Sequence, residues 1–125
     1  MSRIGKKPLH LPETVKMEAL EGILKFTGPK GTLESVLPKG IFMEEKDSVL
    51  SFTRKTNEPA TRALHGLARR LAQNAITGVT EGFVKDLLLI GTGYRVANHA
   101  DGISLSVGFS HPVIFKKVPG VTITI

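Results

Sequence analysis

Short runs of alternating hydrophobic and polar residues follow one another through the first half of the chain. Such period-two runs, bounded by glycine, proline and charged turn residues, are typical of half-buried β-strands. The pattern predicts strands at residues 15–19, 23–27, 32–37, 41–45 and 49–54. One intervening segment, Gly28-Pro29-Lys30-Gly31, has a lysine between two glycines. We predict a β-turn there and not a phosphate-binding loop, because a P-loop needs its lysine after the second glycine and a helix behind it.

The pattern changes to a helical period over residues 59–78. Hydrophobic side chains recur there at intervals of three and four residues, which predicts an amphipathic helix with one buried stripe. The stripe is predicted to contain Leu64, Leu67, Ala68, Leu71 and Ala75, and the other faces Arg62, His65, Arg69 and Gln73. Asn57 or Glu58 is the expected N-cap, and Gly78 is expected to end the helix in a left-handed conformation. Such a helix is expected to pack on one face of an antiparallel sheet.

The second half of the chain resembles the first half at an offset of 80 residues. At that offset glycines align three times without a gap: Gly22 with Gly102, Gly28 with Gly108 and Gly40 with Gly120. A duplicated strand-turn-strand unit would give this pattern, and chance similarity between two β-rich segments is the alternative. The hydrophobic pattern predicts further strands at residues 83–90, 94–98, 103–106, 113–117 and 121–125.

These observations predict an α+β protein of two duplicated domains, residues 1–81 and residues 82–125. Each domain is expected to be an antiparallel sheet with a helix packed on one face. At the offset of 80 residues, the last strand and the helix of the second copy fall beyond residue 125. The second domain is therefore expected to be incomplete in this chain.

Composition excludes several classes of protein. The chain contains no cysteine, which removes disulfides, thiolate catalysis and cysteine-bound zinc. No hydrophobic run approaches the roughly 20 residues that span a bilayer, and the N-terminus lacks the hydrophobic segment of a signal peptide. We therefore expect a soluble protein, cytoplasmic or organellar, without a membrane partner.

Charge favours a polyanionic partner. The net charge is +6 and the isoelectric point is near 9.8. Lysine and arginine residues that neutralise phosphates release condensed counterions, which favours binding to nucleic acid. Along the sequence the excess is spread out, with +4 in residues 1–81 and +2 in residues 82–125.

The short motifs of the chain do not support catalysis. Gly91-Thr92-Gly93 begins like a dinucleotide-binding fingerprint but lacks the third glycine and the following helix. Gly108-Phe109-Ser110-His111-Pro112 has proline where a nucleophile elbow needs its last glycine. The four histidines are dispersed along the chain, at His10, His65, His99 and His111. We therefore expect a protein that is not an enzyme and that has no cofactor, metal site or small-molecule substrate.

Three groups of residues are candidates for contact with RNA. The first is a basic N-terminal arm, residues 2–7, which is predicted to be non-helical because of Gly5 and Pro8. The second is the arginine-bearing helix, for which an ordinary solvated face is the alternative. The third is Tyr94-Arg95, whose ring and guanidinium can stack on bases and bind phosphate, although a core tyrosine is the alternative. The basic candidates of the arm and helix are Arg3, Lys6, Lys7, Arg62, Arg69 and Arg70.

Four separated segments carry a resemblance to a known family: SRIGKKP at 2–8, RALHGLARRLAQNAITGVTEGF at 62–83, LIGTGYRV at 89–96 and VGFSHPV at 107–113. Together they resemble the bacterial-type large-subunit ribosomal protein six family. The resemblance implies two similar α+β domains without enzymatic activity. It also implies binding to large-subunit rRNA near the factor-binding side of the ribosome, close to the sarcin–ricin loop, beside neighbouring large-subunit ribosomal proteins.

The same resemblance implies RNA contact by residues in the second domain. These residues are Lys85, Tyr94, Arg95, Ser110 and His111. Members of the family normally continue with a further strand, a helix and a basic C-terminal segment that this sequence does not include. The alternative hypothesis is a protein–protein scaffold within a ribonucleoprotein, in which a partner completes the open sheet of the second domain.

Overall fold

The computed structural model of the chain describes residues 3–125, so Ser2 of the basic arm lies outside the described residues. The chain divides into two compact units, Met1–Val84 and Lys85–Ile125. The first unit contains two antiparallel three-stranded sheets and a long helix, and the second contains one antiparallel three-stranded sheet. The α+β class is therefore confirmed, whereas the boundary between residues 81 and 82 stays a prediction.

Over the described residues 3–84, the first unit contains two helices and six strands. They are α1 Arg3–Lys6, β1 Leu9–His10, β2 Lys16–Leu20, β3 Ile23–Gly28, β4 Gly31–Val36, β5 Ile41–Lys46, β6 Val49–Arg54 and α2 Pro59–Thr80. The strands form two antiparallel sheets, in the orders β1-β6-β5 and β2-β3-β4. The five strands predicted before residue 55 are all present, with ends shifted by no more than one residue, and β1 is an unpredicted addition.

The core of the first unit lies between these sheets and α2. Alternate residues of β3 and β6 are buried, namely Leu24 with Phe26 and Leu50 with Phe52. This alternation follows from the period of a strand, in which successive side chains point to opposite faces. The buried hydrophobic cluster also includes Ala68, Ala72, Ala75, Ile76 and Val79 of α2.

The prediction of which helix face is buried was right for Ala68 and Ala75, which are buried, and for Leu64, which packs against the core, but it was wrong for Leu67. Leu67 is 48% exposed, whereas His65 and Arg69, which were assigned to other faces, are buried. The true buried stripe runs through His65, Ala68, Arg69, Ala72, Ala75, Ile76 and Val79. This series has the same three- and four-residue spacing as the predicted one. His65 and Arg69 were missed because both are polar and the stripe was chosen by hydrophobicity alone.

The N-cap residue of α2 is one of the two predicted, whereas its C-terminal end differs from the prediction. Glu58 is the N-cap residue but makes no side-chain capping hydrogen bond, and the helix continues past Gly78 to Thr80. The left-handed glycine after the helix is Gly82, with φ of 78°. Gly78 is instead a packing position, since a Cβ atom there would lie 2.7 Å from Cδ1 of Leu33.

The turn between β3 and β4 packs against the C-terminal end of α2. Gly28 pairs with Gly31, so Pro29-Lys30 is the predicted turn. The Lys30 backbone N–H donates to the Val79 carbonyl oxygen at 2.9 Å, and Lys30 Nζ donates to the Glu81 carbonyl oxygen at 2.7 Å. A lysine at this position satisfies carbonyl groups at the helix end and complements the negative end of the helix dipole.

The second unit is a single antiparallel sheet. It consists of β7 Arg95–His99, β8 Gly102–Ser106 and β9 Val113–Lys116, in the order β7-β8-β9. The strands predicted at residues 83–90 and 121–125 are wrong, because neither segment is hydrogen-bonded to a neighbouring strand in the described chain. Residues 85–125 contain no helix and no fully buried side chain.

The second sheet repeats the topology of the first unit's β2-β3-β4 sheet. Both are antiparallel with sequential strand order, and both begin with a hairpin whose strands are joined by two residues. Those residues are Glu21-Gly22 in the first sheet and Ala100-Asp101 in the second. The distance in sequence between the two turns is therefore one residue less than the offset of 80 at which the glycines align. The sheets differ at the next connection, which is two residues long after β3 and spans residues 107–112 after β8.

Replacement of a core aromatic residue tests this assignment of the core. Phe26→Ala is expected to lower the free energy of unfolding by about 3–5 kcal/mol, because Phe26 is 0% exposed and its loss leaves a cavity. Phe42→Ala is the matched control: Phe42 is 55% exposed, and its replacement is expected to cost about 1 kcal/mol or less. Urea denaturation followed by helical circular dichroism measures both, since α1 and α2 lie in the first unit. Equal losses in the two variants would contradict the assignment.

Candidate nucleic-acid interface

The basic N-terminal arm is folded onto the long helix. Its residues form the one-turn helix α1, which packs against α2 and β6, so the prediction of a non-helical arm was wrong. The Lys7 backbone N–H donates to the Ile4 carbonyl oxygen at 3.2 Å. Gly5 is buried against the imidazole of His65, and a Cβ atom at Gly5 would lie 2.6 Å from His65 Nδ1. Glycine therefore permits a close approach that any other residue would prevent.

Arg69 joins the arm to α2. Its Nε donates to the Lys7 carbonyl oxygen at 3.2 Å, and its Nη2 donates to the Pro8 carbonyl oxygen at 3.3 Å. The side chain is only 7% exposed. Burial, and then the charge of the neighbouring Arg70, lower the pKa of Arg69 from its ordinary value. The Arg69 guanidinium is thus directed at the backbone of the arm and away from solvent.

His65 joins the same helix to β6. Its Nε2 lies 2.7 Å from the Phe52 carbonyl oxygen, and its Nδ1 lies 3.2 Å from Nη1 of Arg54. A carbonyl oxygen only accepts and a guanidinium only donates, so Nε2 carries the proton and Nδ1 accepts. Nη2 of Arg54 also donates to Oδ1 of Asn57 at 2.8 Å, which holds Asn57 beside β6. These contacts give His65 a structural role.

The arm and α2 together carry the whole net charge of the chain. Residues 3–10 and 59–80 contain six lysine and arginine residues and no aspartate or glutamate. The chain has 17 basic and 11 acidic residues, so 11 basic residues remain to balance the 11 acidic ones. The side chains of Arg3, Lys6, Lys7 and Arg70 are exposed, and that of Arg62 is partly exposed. We call these five residues, together with the buried Arg69, the arm–helix surface.

The second unit presents Tyr94 from a glycine turn. The Tyr94 backbone N–H donates to the Gly91 carbonyl oxygen at 3.1 Å, and Gly93 has φ of 77°. A positive φ at the third position is what a type II turn requires, and glycine supplies it without strain. The Tyr94 ring lies on Gly91, where a Cβ atom would be 2.5 Å from Cδ2 of the ring. Tyr94 is 41% exposed, so it is not a core tyrosine.

The connection between β8 and β9 lies next to Tyr94. Gly108, with φ of 88°, approaches the tyrosine ring, since a Cβ atom there would lie 3.7 Å from Cε1 of Tyr94. The rings of Phe109 and His111 stack with centroids 5.9 Å apart and planes inclined by 8°. Phe109 is 66% exposed. We call Tyr94, Phe109 and His111 the aromatic loop surface.

Phe109 was not among the candidates predicted from the sequence. The sequence signal that could have identified Phe109 is its place two positions before His111, in a loop that begins with Gly108. This spacing favours stacking of the two rings on one side of the chain. Ser110 lies between the two rings in sequence and is exposed. Arg95 is exposed and pairs with Ser106, where β8 enters this loop. Lys85 is exposed in the segment before the glycine turn, outside the strands.

Other kinds of site lack their characteristic features in the described residues 3–125. No group of three or more histidine, aspartate or glutamate side chains in this range is arranged to hold a metal ion. Within the same range, no helix has the length and hydrophobicity needed to cross a membrane. The arm–helix surface and the aromatic loop surface therefore remain the candidates with a defined chemistry.

Comparison with known proteins identifies related chains. The family described as Ribosomal protein L6 matches residues 11–82. The "Large ribosomal subunit protein uL6" of Fusobacterium nucleatum is 40% identical over 125 residues, which cover 100% of this chain and 71% of that protein. Proteins of the same name from Acidobacterium capsulatum and Roseiflexus castenholzii are 44% and 42% identical, over 100% and 98% of this chain and 69% and 66% of their own lengths.

The position of Tyr94 can be tested directly, because the chain contains one tyrosine and no tryptophan. Gly91→Ala is expected to lift the ring from the turn and expose its covered face to solvent, since the added methyl group would overlap the ring. Quenching of tyrosine fluorescence by acrylamide should then become stronger. Thr92→Ala, a neighbouring change within the same turn, serves as the control. Unchanged quenching in Gly91→Ala would show that the ring does not lie on Gly91.

Proposed function

We propose a function for this chain from one established premise: the chain belongs to the ribosomal protein L6 family. This family is structural and not enzymatic. The relatives reported above are named as proteins of the large ribosomal subunit. On that basis we assign this chain to the large ribosomal subunit as a structural constituent that binds large-subunit rRNA in the cytoplasm.

The observation that carries the proposal is the charge of the arm–helix surface. The chain's formal net charge equals the charge of the arm and α2, which pack against each other. A concentrated positive surface attracts a phosphate backbone more strongly than the same charges dispersed among carboxylates. Arg3, Lys6, Lys7, Arg62 and Arg70 are the proposed phosphate contacts in the first unit.

The aromatic loop surface supplies a second, different type of contact. Phe109 and His111 are stacked on each other and exposed, so a further aromatic ring can extend the stack. Unpaired RNA bases are recognised by stacking on such side chains, and Arg95 and Lys85 add positive charge within the same unit. We therefore propose Lys85, Tyr94, Arg95, Phe109, Ser110 and His111 as RNA contacts of the second unit.

The proposed location within the subunit is finer than the family assignment. It is the factor-binding region near the sarcin–ricin loop, with neighbouring large-subunit proteins as further partners. The support for this location is the resemblance of the four sequence segments to the bacterial-type family. Crosslinking of the aromatic loop surface to rRNA, followed by sequencing of the linked nucleotides, tests it.

A protein–protein scaffold is the second candidate function, and a specific observation favours it. The second unit has no buried side chain, and several large hydrophobic side chains are exposed. The exposed ones in the segment before the glycine turn are Leu87, Leu88, Leu89 and Ile90. A hydrophobic contact with a protein persists at high salt, whereas a phosphate contact weakens. Salt dependence of subunit binding therefore separates the two candidates.

Neutralising the arm–helix surface tests the main proposal. The double variant Arg62→Gln with Arg70→Gln is expected to weaken binding to large-subunit rRNA. Its slope of log affinity against log salt concentration should be smaller by about one for each phosphate contact that the variant removes. Filter binding at several salt concentrations measures this slope. Lys39→Gln with Lys46→Gln removes the same charge elsewhere in the first unit and is the control. Identical slopes in both double variants would contradict a localised phosphate contact.

The aromatic loop surface is tested by removing one ring. Phe109→Leu keeps a hydrophobic side chain but removes the stacking face, so RNA binding is expected to weaken by about 1–3 kcal/mol. The salt slope should stay the same, because every phosphate contact remains. Phe42→Leu, at an exposed phenylalanine of the first unit, is the control. If the affinity of Phe109→Leu matched that of the control, the proposed stacking contact would be wrong.

A further inference from the structure

Arg69 is a cationic side chain in a buried position. Burial of a charged group is unfavourable unless hydrogen bonds replace those that it made with water. The Arg69 guanidinium has such bonds, to the carbonyl oxygens of Lys7 and Pro8. Both acceptors belong to the segment that links α1 to β1, 61 and 62 residues away in sequence. The side chain therefore contacts the backbone of the arm and not the solvent from which RNA would approach.

We propose that Arg69 is a positioning residue that holds the basic arm against α2, so that the arm's cations meet RNA from fixed positions. The inference rests on the proposed rRNA-binding function and deepens it. Arg69 was a candidate for direct RNA contact in the sequence analysis, and its burial assigns it an indirect role. The direct contacts belong to the exposed cations of the arm–helix surface.

The physical advantage of a held arm is a smaller loss of conformational freedom on binding. A free arm loses backbone entropy when it is ordered on RNA, whereas an arm already docked has lost it on folding. The Arg69 hydrogen bonds and the packing of Gly5 on His65 are among the contacts that dock the arm here. Lysine cannot replace Arg69, because an ammonium group lacks the planar set of donors that spans both carbonyl oxygens.

The test compares Arg69→Lys with Lys39→Arg, a change at an exposed residue outside both proposed RNA-binding surfaces, in the full chain. Both variants keep the net charge, but only the first removes hydrogen bonds to the arm. Amide hydrogen exchange of residues 3–7 in the free protein is expected to become about tenfold faster in Arg69→Lys. Affinity for a folded transcript of large-subunit rRNA is expected to fall about tenfold. In Lys39→Arg, both quantities should stay within about twofold of the original chain.

A double-mutant cycle shows whether the effect passes through the arm. Arg3→Gln with Lys7→Gln removes arm charges, and Arg69→Lys is then added to that background. If Arg69 acts by positioning those charges, the combined loss of affinity is smaller than the sum of the separate losses. Fully additive losses would show that Arg69 acts independently of the arm and would overturn the inference.

A second variant keeps the test valid if Arg69→Lys reduces overall stability. Gly5→Ala leaves every charge and Arg69 in place, but its Cβ atom would overlap the His65 ring and displace α1. It is expected to reproduce the faster exchange and the weaker RNA binding. Exchange of the β3 and β6 amides reports whether the core is intact in either variant.

The possible results separate this inference from the proposed function. If the original chain binds the transcript and Arg69→Lys binds equally well, only the positioning role is overturned. Unchanged exchange of residues 3–7 in Arg69→Lys also overturns it, whatever the RNA affinity. If the original chain does not bind the transcript, the proposed function fails, and the positioning role for RNA fails with it.

Discussion

The buried face of α2 is the contact on which the rest of the first unit depends. Its hydrophobic members are mostly small, namely Ala68, Ala72, Ala75, Ile76 and Val79. Small side chains let the helix lie close to the sheets, and Gly28 approaches it so closely that a Cβ atom there would be 2.6 Å from the Val79 carbonyl oxygen. At this distance short hydrogen bonds can join the helix to its surroundings. His65 reaches β6, Arg69 reaches the arm, and Lys30 reaches the helix end from the turn after β3. One helix face therefore determines where the basic residues of α1 are displayed.

Local sequence information was sufficient for the strands of the first unit and insufficient for its polar contacts. The alternation of hydrophobic and polar residues predicted the strands because one face of each sheet is buried. A strand with one buried face has a hydrophobic residue at every second position. The helix itself was equally clear, but its buried face was not, since polar His65 and Arg69 become buried only through acceptors supplied by distant segments. The helical turn of α1 also depends on contacts with a segment that is distant in sequence. Residues 3–6 are too few for a stable isolated helix, so their conformation is a result of packing on α2.

In the second unit, local sequence patterns predicted strands that did not form. Residues 83–90 and 121–125 are rich in β-forming side chains, yet they are not strands, because a strand needs a neighbour to accept its hydrogen bonds. The three strands that did form are those whose hairpin partners follow directly in sequence, and these were predicted. For the candidate site, the glycine turn with Tyr94 and the loop with His111 were recognisable as motifs. Their proximity was not, since the contact between Gly108 and Tyr94 depends on the register of β7 with β8.

Charge illustrates most clearly what folding adds to the sequence. In sequence the basic excess is spread along the chain, whereas the folded first unit collects six positive charges on the arm and α2. Outside those segments the same unit has seven basic and nine acidic residues, so its remaining surface is weakly negative. Such a separation of charge both attracts a polyanion and orients the protein as it approaches. The aromatic loop surface contributes by stacking, which does not depend on counterion release. Rising salt should therefore weaken the contribution of the arm–helix surface first, and the relative contribution of the second unit to binding should increase.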